Sequence, residues 1–292
     1  MNEQVPFATM SDREKYLFDL QGFLVIAGFL TPGEVAALNT AIDANTDKRG
    51  EHVGGADSPE LEGSHLRGHY HSMLTWDHPW CQPFRDILAH PRLVPYLNTF
   101  FGRGWKLDHS PDILTATRGA EGLNLHGDGQ VDFNGSRFYA YHNGRMRCGL
   151  INCQFYLSDV NPGDGGLCVV PGSHKSNYPC PQDIKLYRAD QQLVYQIPLK
   201  AGDLVIFNEA TMHGTLPWRG EQERRTIAVP LHAQIPPLHR WPLPDVNARL
   251  GRRTHSGAAG RTRAALRLPP APARRRRHDA GQSAPGGGVD DA

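Results

Sequence analysis

The sequence predicts a mainly β protein with flanking helices, built on a double-stranded β-helix (jelly roll, cupin-like). From about residue 106 to residue 229 the chain consists of short segments that alternate apolar and polar residues. Glycine, proline, asparagine and aspartate separate these segments, as is typical of antiparallel sandwiches and barrels. The pattern does not show the alternation of strands with long helices that marks a parallel α/β sheet.

The N-terminal part of the sequence predicts two helices around a strand. A short helix leads into the β-rich run GFLVIAGFL (22–30). Thr31 then suits the N-cap of a second helix, with Pro32 at its first position and Glu34 completing a capping box. Apolar residues four positions apart extend this amphipathic helix to about Asn45.

The remaining elements follow from the same patterns. Segment 46–70 is polar and rich in glycine, which predicts a loop, and short helices are predicted around 81–89 and 91–101 on either side of Pro91. An Asn-Gly turn in FYAYHNGR (138–145) fits a hairpin, although its aromatic residues could also line a pocket. The predicted strands lie in KLDHSPDILTATRG, GLNLHGD, MRCGLINCQFYLSDV, GGLCVVPGSHK, LVYQIPLKAGDLVIFNEATMHGTLPW and RRTIAV.

Composition predicts a soluble cytoplasmic protein. No run of 18 apolar residues occurs, and the first residues lack the basic and apolar regions of a secretory signal. The five cysteines are an odd number without CxxC spacing, so a disulfide scaffold or a zinc ribbon is not expected. We expect them to be buried or incidental thiols in a reducing compartment.

The charge is divided unevenly along the chain. Residues 240–292 contain 11 Arg and 4 Asp, a net charge of +7, so the rest carries −6 to give the total of +1. Because the body is mildly acidic, nucleic-acid binding would depend on a basic arm at the C-terminus, and we expect none. We predict a jelly-roll domain at 1–235 and a disordered, low-complexity tail rich in Arg, Ala, Pro and Gly at 236–292.

One group of residues indicates chemistry. In LNLHGDGQ (123–130), His126 and Asp128 lie two positions apart, so on an extended chain both side chains point to one face. A distant histidine, His213 in ATMHGTLPW, would complete a 2-His-1-carboxylate triad for Fe(II) with three open positions. Arg224 and Arg225 begin the next apolar strand, and an arginine inside a barrel needs an anion such as a carboxylate. The set predicts iron and a dicarboxylate co-substrate.

These residues resemble the phytanoyl-CoA dioxygenase family of Fe(II)/2-oxoglutarate oxygenases. The resemblance rests on HGD, NPGDGGLCVVPGSHK, MHG and RRT in this order, together with GFLVIAGFLTPGEVAAL, and covers roughly residues 15–228. It implies that His126, Asp128 and His213 bind iron. It also implies that Arg224, eleven residues after His213, binds the distal carboxylate of 2-oxoglutarate.

A polar row on the strand LINCQFYL (150–157) is a further candidate for the site. Asn152, Gln154 and Tyr156 share one face of this strand. Asn152 or Gln154 could lie near the co-substrate, and hydrogen bonding inside the core would explain them equally well.

The resemblance implies an enzyme that hydroxylates a small organic substrate with Fe(II), O2 and 2-oxoglutarate, which is decarboxylated to succinate. A halogenase variant would normally replace the carboxylate ligand by a small residue, and Asp128 argues against it. The alternatives in other classes are a non-catalytic jelly-roll binding protein and a Zn-dependent hydrolase. Arg224 is the discriminating residue, because a plain zinc hydrolase would not need it. The fold alone does not define the substrate.

Other histidines are explained without chemistry. His174 in PGSHK (171–175) is predicted to be a structural residue of a turn. His65, His69 and His71 lie in a polar, glycine-containing stretch without a carboxylate at fixed spacing, which predicts a surface or substrate-facing loop.

The end of the chain departs from the family pattern. Related chains continue after the arginine strand as something like YRYTPKYLH, whereas this chain has VPLHAQIPPLH. Codons for the latter, read one base later, can encode the former. We therefore hypothesise a frameshift near residues 227–230, which would shorten the last strand, and resequencing the genomic codons tests it.

Overall fold

The computed structural model describes residues 8–52, 54–102, 104–127 and 137–234. Within these ranges the protein has fourteen β-strands and five α-helices, with short 3-10 turns between them. Asp128 and the predicted tail lie outside the described residues. No described helix has the length and apolar character needed to cross a membrane.

The helices precede or flank the strands, as the sequence predicts. In α2, Thr31 accepts a hydrogen bond from the Glu34 backbone, and the Glu34 side chain accepts one from the Thr31 backbone at 2.8 Å. This reciprocal capping box starts the helix where Pro32 also favours it. The five helices are α1 (Asp12–Gln21), α2 (Pro32–Asp43), α3 (Gln82–Leu88), α4 (Val94–Phe101) and α5 (Gln182–Lys185).

The strands are short and pair mostly in the antiparallel direction. They are β1 (Phe23–Ile26), β2 (Gly50–His52), β3 (Arg67–Tyr70), β4 (Trp105–Leu107), β5 (Asp112–Ala116), β6 (Leu123–His126), β7 (Tyr139–His142), β8 (Arg145–Cys148), β9 (Leu150–Tyr156), β10 (Gly166–Val169), β11 (Tyr195–Gln196), β12 (Leu204–Asn208), β13 (His213–Leu216) and β14 (Arg224–Ala233).

Two sheets form the jelly roll. The larger has eight strands in the order β1-β12-β9-β14-β5-β3-β2, with β4 also paired to β14. The smaller has four strands in the order β11-β10-β13-β6, and β7 and β8 form a separate hairpin. Sequence-distant strands are therefore neighbours in both sheets, which brings residues near 126, 154, 213 and 224 together. The predicted fold class is confirmed.

The two faces of β9 show where the cores lie. Ile151, Cys153 and Phe155 belong to a large apolar cluster shared with the helices, which contains Phe18 and Phe100. Tyr156 belongs to a second cluster, which also contains Leu167 and Trp218 on the side of the smaller sheet. The period-two alternation of this strand thus separates a helix-facing side from an interior side between the sheets.

Three predictions about local structure have different outcomes. Segment 46–70 is not simply a loop, because it contains β2 and β3, which pair with each other and extend the larger sheet. The last strand, β14, continues past residues 227–230, because residues 231–233 pair with β4, and the frameshift stays a hypothesis. The Asn-Gly hairpin is confirmed: Asn143 and Gly144 both have positive φ between β7 and β8.

Candidate metal centre

Two histidines meet in the smaller sheet. His126 is the last residue of β6, and His213 is the first residue of β13. The two strands pair so that these residues lie directly opposite each other. Their ring centroids are 4.1 Å apart. The topology therefore brings together the two imidazoles that the motifs predict.

A glycine after each histidine allows this pairing. A Cβ at Gly127, whose φ is +130°, would lie 2.5 Å from the carbonyl oxygen of Thr211. A Cβ at Gly214 would lie 2.7 Å from the carbonyl oxygen of Leu123. Contacts this short are not tolerated, so both His-Gly pairs reflect the close approach of β6 and β13.

The hydrogen bonds of both rings define their tautomers. Nδ1 of His126 donates to the carbonyl oxygen of Asn124 at 3.0 Å, and Nδ1 of His213 donates to that of Thr211 at 2.7 Å. Each neutral ring then keeps its lone pair on Nε2, which is the arrangement that metal-binding histidines use. Burial, reinforced by the neighbouring His213, lowers the pKa of His126 to about 4. Its neutral form is therefore available at physiological pH.

The third predicted ligand, Asp128, falls outside the described residues. In the part of the chain that the structure describes, no three His, Cys, Asp or Glu side chains lie close enough to hold a metal ion together. The assignment of His126, Asp128 and His213 as a ligand set thus stays a prediction.

Arg224 begins β14 and is 4% exposed. Its guanidinium lies against Gly166 of the smaller sheet, where an added Cβ would be 3.1 Å from Nη1. Among the described residues, Nε has no hydrogen-bond partner and no carboxylate lies within 4.0 Å of the guanidinium. Burial lowers the pKa of the guanidinium. A buried cation without a partner is costly, so this residue is suited to an anion that enters the cavity.

The polar row of β9 faces the same interior. Asn152 and Gln154 both line the cavity that contains His126, His213 and Arg224. Each already has a partner: Asn152 Nδ2 donates to Glu209 at 3.0 Å, and Gln154 Oε1 accepts from the Tyr156 hydroxyl at 3.1 Å. Oδ1 of Asn152 is buried without a partner. The predicted face is correct, and a role in co-substrate binding stays a prediction.

The cavity also contains residues that the sequence did not single out. Arg67, 6% exposed, lies 3.7 Å from Glu121 and leaves Nε without a partner. Glu209 lies beside His213, and His52 and Asp112 also form part of the wall. No local motif indicates these residues, because strand pairing between distant segments brings them to the cavity. Its volume is about 200 Å³.

The structure agrees with only part of the prediction for the other histidines. His69 lies in β3 rather than in a loop, and its ring centroid is 4.1 Å from that of His71. His71 in turn pairs with Asp112 at 2.6 Å, so the stretch does have a carboxylate partner, supplied by β5. His174 is fully buried in a 3-10 turn, and its Nε2 lies 3.1 Å from the carbonyl oxygen of Asp19. This agrees with its predicted structural role.

A larger cavity lies elsewhere. It has a volume of about 1130 Å³ and lies between α1, α4 and the β7–β8 hairpin. None of the predicted site residues that the structure describes lines it. The smaller cavity combines paired imidazoles with an unpartnered arginine, so we place the candidate site there on chemistry and not on size.

Comparison with known proteins defines the class. The family model for phytanoyl-CoA dioxygenase (PhyH) matches residues 18–226, and the chain belongs to this family. The protein is accordingly an oxidoreductase of the class that depends on Fe(II), 2-oxoglutarate and O2. A search of curated protein sequences finds no significant match.

Solved structures share this fold. HygX from Streptomyces hygroscopicus, with nickel and 2-oxoglutarate bound, is 25% identical with a TM-score of 0.62, over 78% of this chain and 88% of that chain. The same protein with hygromycin B also bound is 24% identical with a TM-score of 0.63, over 77% and 88%. EctD from S. alaskensis, with 2-oxoglutarate and 5-hydroxyectoine, is 19% identical with a TM-score of 0.57, over 79% of each chain.

The residues of this chain fit both groups that the family uses. The two Nε2 lone pairs of His126 and His213 are nitrogen ligands suited to Fe(II). The guanidinium of Arg224, whose Nε has no partner among the described residues, suits a carboxylate. The cavity thus combines two candidate metal ligands with a candidate anion partner.

Proposed function

We propose that the protein is an Fe(II)- and 2-oxoglutarate-dependent dioxygenase that hydroxylates a small polar organic molecule and converts 2-oxoglutarate to succinate and CO2. The observation that carries this proposal is the buried Arg224, whose Nε has no partner among the described residues, in the same cavity as the His126–His213 pair. A Zn-dependent hydrolase on this scaffold would gain nothing from a buried, uncompensated guanidinium.

Each residue has a defined role in this proposal. His126, Asp128 and His213 hold the metal, and the carbonyl groups of Asn124 and Thr211 orient the two rings through Nδ1. Arg224 binds the distal carboxylate of 2-oxoglutarate and thereby fixes its orientation toward the metal. Asn152 or Gln154 contacts the co-substrate from the β9 wall. The bound metal supplies the activation of O2.

The walls of the cavity support a polar substrate. His52, His109 and Asp112 contribute polar side chains around it, and apolar side chains such as Leu114 and Leu123 occupy only part of the lining. A wall with both donors and acceptors favours a molecule that can hydrogen-bond over one that is purely apolar. Small-molecule ligands are also bound in the solved structures of HygX and EctD.

An anaerobic titration with Fe(II) and then 2-oxoglutarate tests the proposal. We expect a visible charge-transfer band from chelated iron in the parent chain, and succinate formation once O2 is admitted. The band should be lost in Asp128→Ala and His213→Ala, and weakened in Arg224→Ala. Arg225→Ala is the matched control, since its guanidinium lies on the other face of β14. A folded protein without the band would contradict the proposal.

A further inference from the structure

Glu209 is a carboxylate that neither the motifs nor the family pattern explains. It follows β12 directly and lies four residues before His213. Its side chain is 12% exposed and forms part of the wall of the candidate cavity. A carboxylate this far removed from water normally has a cation or several hydrogen-bond donors as partners.

Glu209 has few of these partners. Oε1 accepts one hydrogen bond, from Asn152 Nδ2 at 3.0 Å. Oε2 lies 3.6 Å from Nε2 of His213. Among the described residues, no Lys or Arg nitrogen lies within 4.0 Å of either oxygen. Asp203, another buried carboxylate, is different, because its two oxygens accept from the backbones of Gly28 and Lys200, both at 2.8 Å.

The contact with His213 places a carboxylate beside the predicted metal-binding nitrogen. Nδ1 of this ring donates to the carbonyl oxygen of Thr211, which leaves Nε2 directed toward the cavity side of the ring as the predicted ligand atom. Oε2 of Glu209 lies 3.6 Å from Nε2. A divalent cation bound at Nε2 would therefore be attracted by this nearby negative charge.

Glu209 does not replace the predicted aspartate. His126, His213 and Glu209 are not arranged so that all three can hold one ion, since no such triple exists among the described residues. A carboxylate beside a metal still attracts it through space and can orient a liganding ring. The remaining explanation for its position is therefore an electrostatic one.

We propose that Glu209 is a positioning residue of the metal centre, a second negative charge beside His213 that increases the affinity for a divalent cation. The inference rests on the proposed function for the position of the metal at His126 and His213. It adds a feature that the 2-His-1-carboxylate pattern lacks, and it also assigns Asn152 the task of holding Glu209 through Nδ2.

Binding of Mn(II) to the full chain tests the proposal without any substrate. The free ion is measured by its electron paramagnetic resonance signal in titrations of the parent and of Glu209→Gln. We expect the dissociation constant of Glu209→Gln to be about 10- to 100-fold higher, the usual effect of removing an outer partner of a metal site. Glu209→Asp should recover part of this loss, because it restores the charge.

Three further variants make the result decisive. Glu223→Gln removes the same charge from the opposite side of β14, where Glu223 pairs with Arg225 at 2.7 Å, and should leave Mn(II) affinity unchanged. Glu209→Ala is a second neutral variant, should the glutamine variant not fold, and we expect the same loss of affinity. His213→Ala should abolish tight binding.

The outcomes separate this inference from the proposed function. If His213→Ala weakens Mn(II) binding while both neutral Glu209 variants stay within about twofold of the parent, the inference is overturned and the proposed metal site stands. If His213→Ala binds Mn(II) as tightly as the parent, the metal centre itself is wrong and the inference fails with it.

Discussion

Arg224 and Arg225 are adjacent in β14, and their surroundings are opposite. Arg224 faces the interior between the two sheets, is 4% exposed and leaves Nε without a partner. Arg225 faces the helices, where it contacts Glu223 and Asp43 at 2.7 Å and Asn39 at 3.2 Å. Burial alone would lower the pKa of Arg225, but these partners raise it, whereas the pKa of Arg224 is lowered.

The difference separates a structural arginine from one that is available to a ligand. The partners of Arg225 come from α2 and from the residue just before β14, so it joins the larger sheet to a helix. Among the described residues the charge of Arg224 has no compensating partner, and such an arrangement lowers the stability of the unliganded protein and raises the gain when an anion binds. A comparison of partners within one strand thus indicates function better than burial by itself.

Removing the interior guanidinium should have the largest effect. We expect Arg224→Ala to raise the dissociation constant for 2-oxoglutarate about 30-fold or more, the usual consequence of truncating one partner of a buried charge pair. The free energy of unfolding without 2-oxoglutarate should stay the same or increase, because an uncompensated charge is lost. Calorimetric titration and urea unfolding measure the two quantities. A destabilised variant with unchanged affinity would reverse the assignment of the two arginines.

Lowering the pH should reveal the cost of burying a charge at His174. Burial, reinforced by Lys175, lowers the pKa of His174 from 6.5 to about 4. Its contribution to stability is complete above the unfolded pKa of 6.5 and is lost as the pH falls toward 4, since only the unfolded chain takes up the proton easily. At about pH 5 we expect a loss on the order of 2 kcal/mol in the free energy of unfolding.

Urea unfolding at about pH 7.5 and about pH 5 measures this loss. His174→Gln should reduce the pH dependence, whereas the same change at the exposed His142 should not. Equal pH dependence in the parent and in His174→Gln would mean that other groups are responsible.

Removing the guanidinium of Arg225 should have a smaller effect, and it should change stability and not affinity. Arg225→Ala should lower the free energy of unfolding by about 1 kcal/mol, because its ion pairs are partly exposed and only moderately favourable. The affinity for 2-oxoglutarate should stay within about twofold of the parent. A large loss of affinity would show that the two faces of β14 are coupled, and the comparison would no longer hold.

Raising the salt concentration should have the smallest effect on stability, and it should act on the ion pairs of Arg225. Raising KCl from about 0.1 M to about 1 M shortens the screening length from about 10 Å to about 3 Å. We expect the stability difference between the parent and Arg225→Ala to shrink by roughly half, since Asp43 is well exposed. Urea unfolding of both proteins at the two concentrations measures it. A difference that is independent of salt would mean that packing of the side chain, and not its charge, is important.

Much of the fold follows from local patterns. The capping box at Thr31 and Glu34 places α2, and the Asn-Gly pair places the β7–β8 hairpin. The alternation in β9 correctly separates Asn152 and Gln154 from the residues that face the helices. Segment 46–70 was predicted incorrectly because β2 and β3 are very short and polar, and β3 joins the sheet through β5, far along the chain.

The residues of the candidate site also divide into those that the local sequence predicts and those that it does not. His126, His213 and Arg224 are predictable because they lie in motifs whose order and spacing define a family. Glu209, Arg67 and Asp112 carry no such signal, since each is an ordinary charged residue at the end of a strand or within it. They become significant only through the cavity that they share.

The sequence by itself determined the class of this protein, the predicted metal-binding residues and the parity that directs Arg224 and Arg225 to opposite faces of β14. These properties depend on residue type and on the period of two, which are local. Only the tertiary structure decided which arginine lacks a partner and which carboxylate lies 3.6 Å from His213. The cost of a charge depends on everything around it, and those surroundings are assembled from strands distant in the chain.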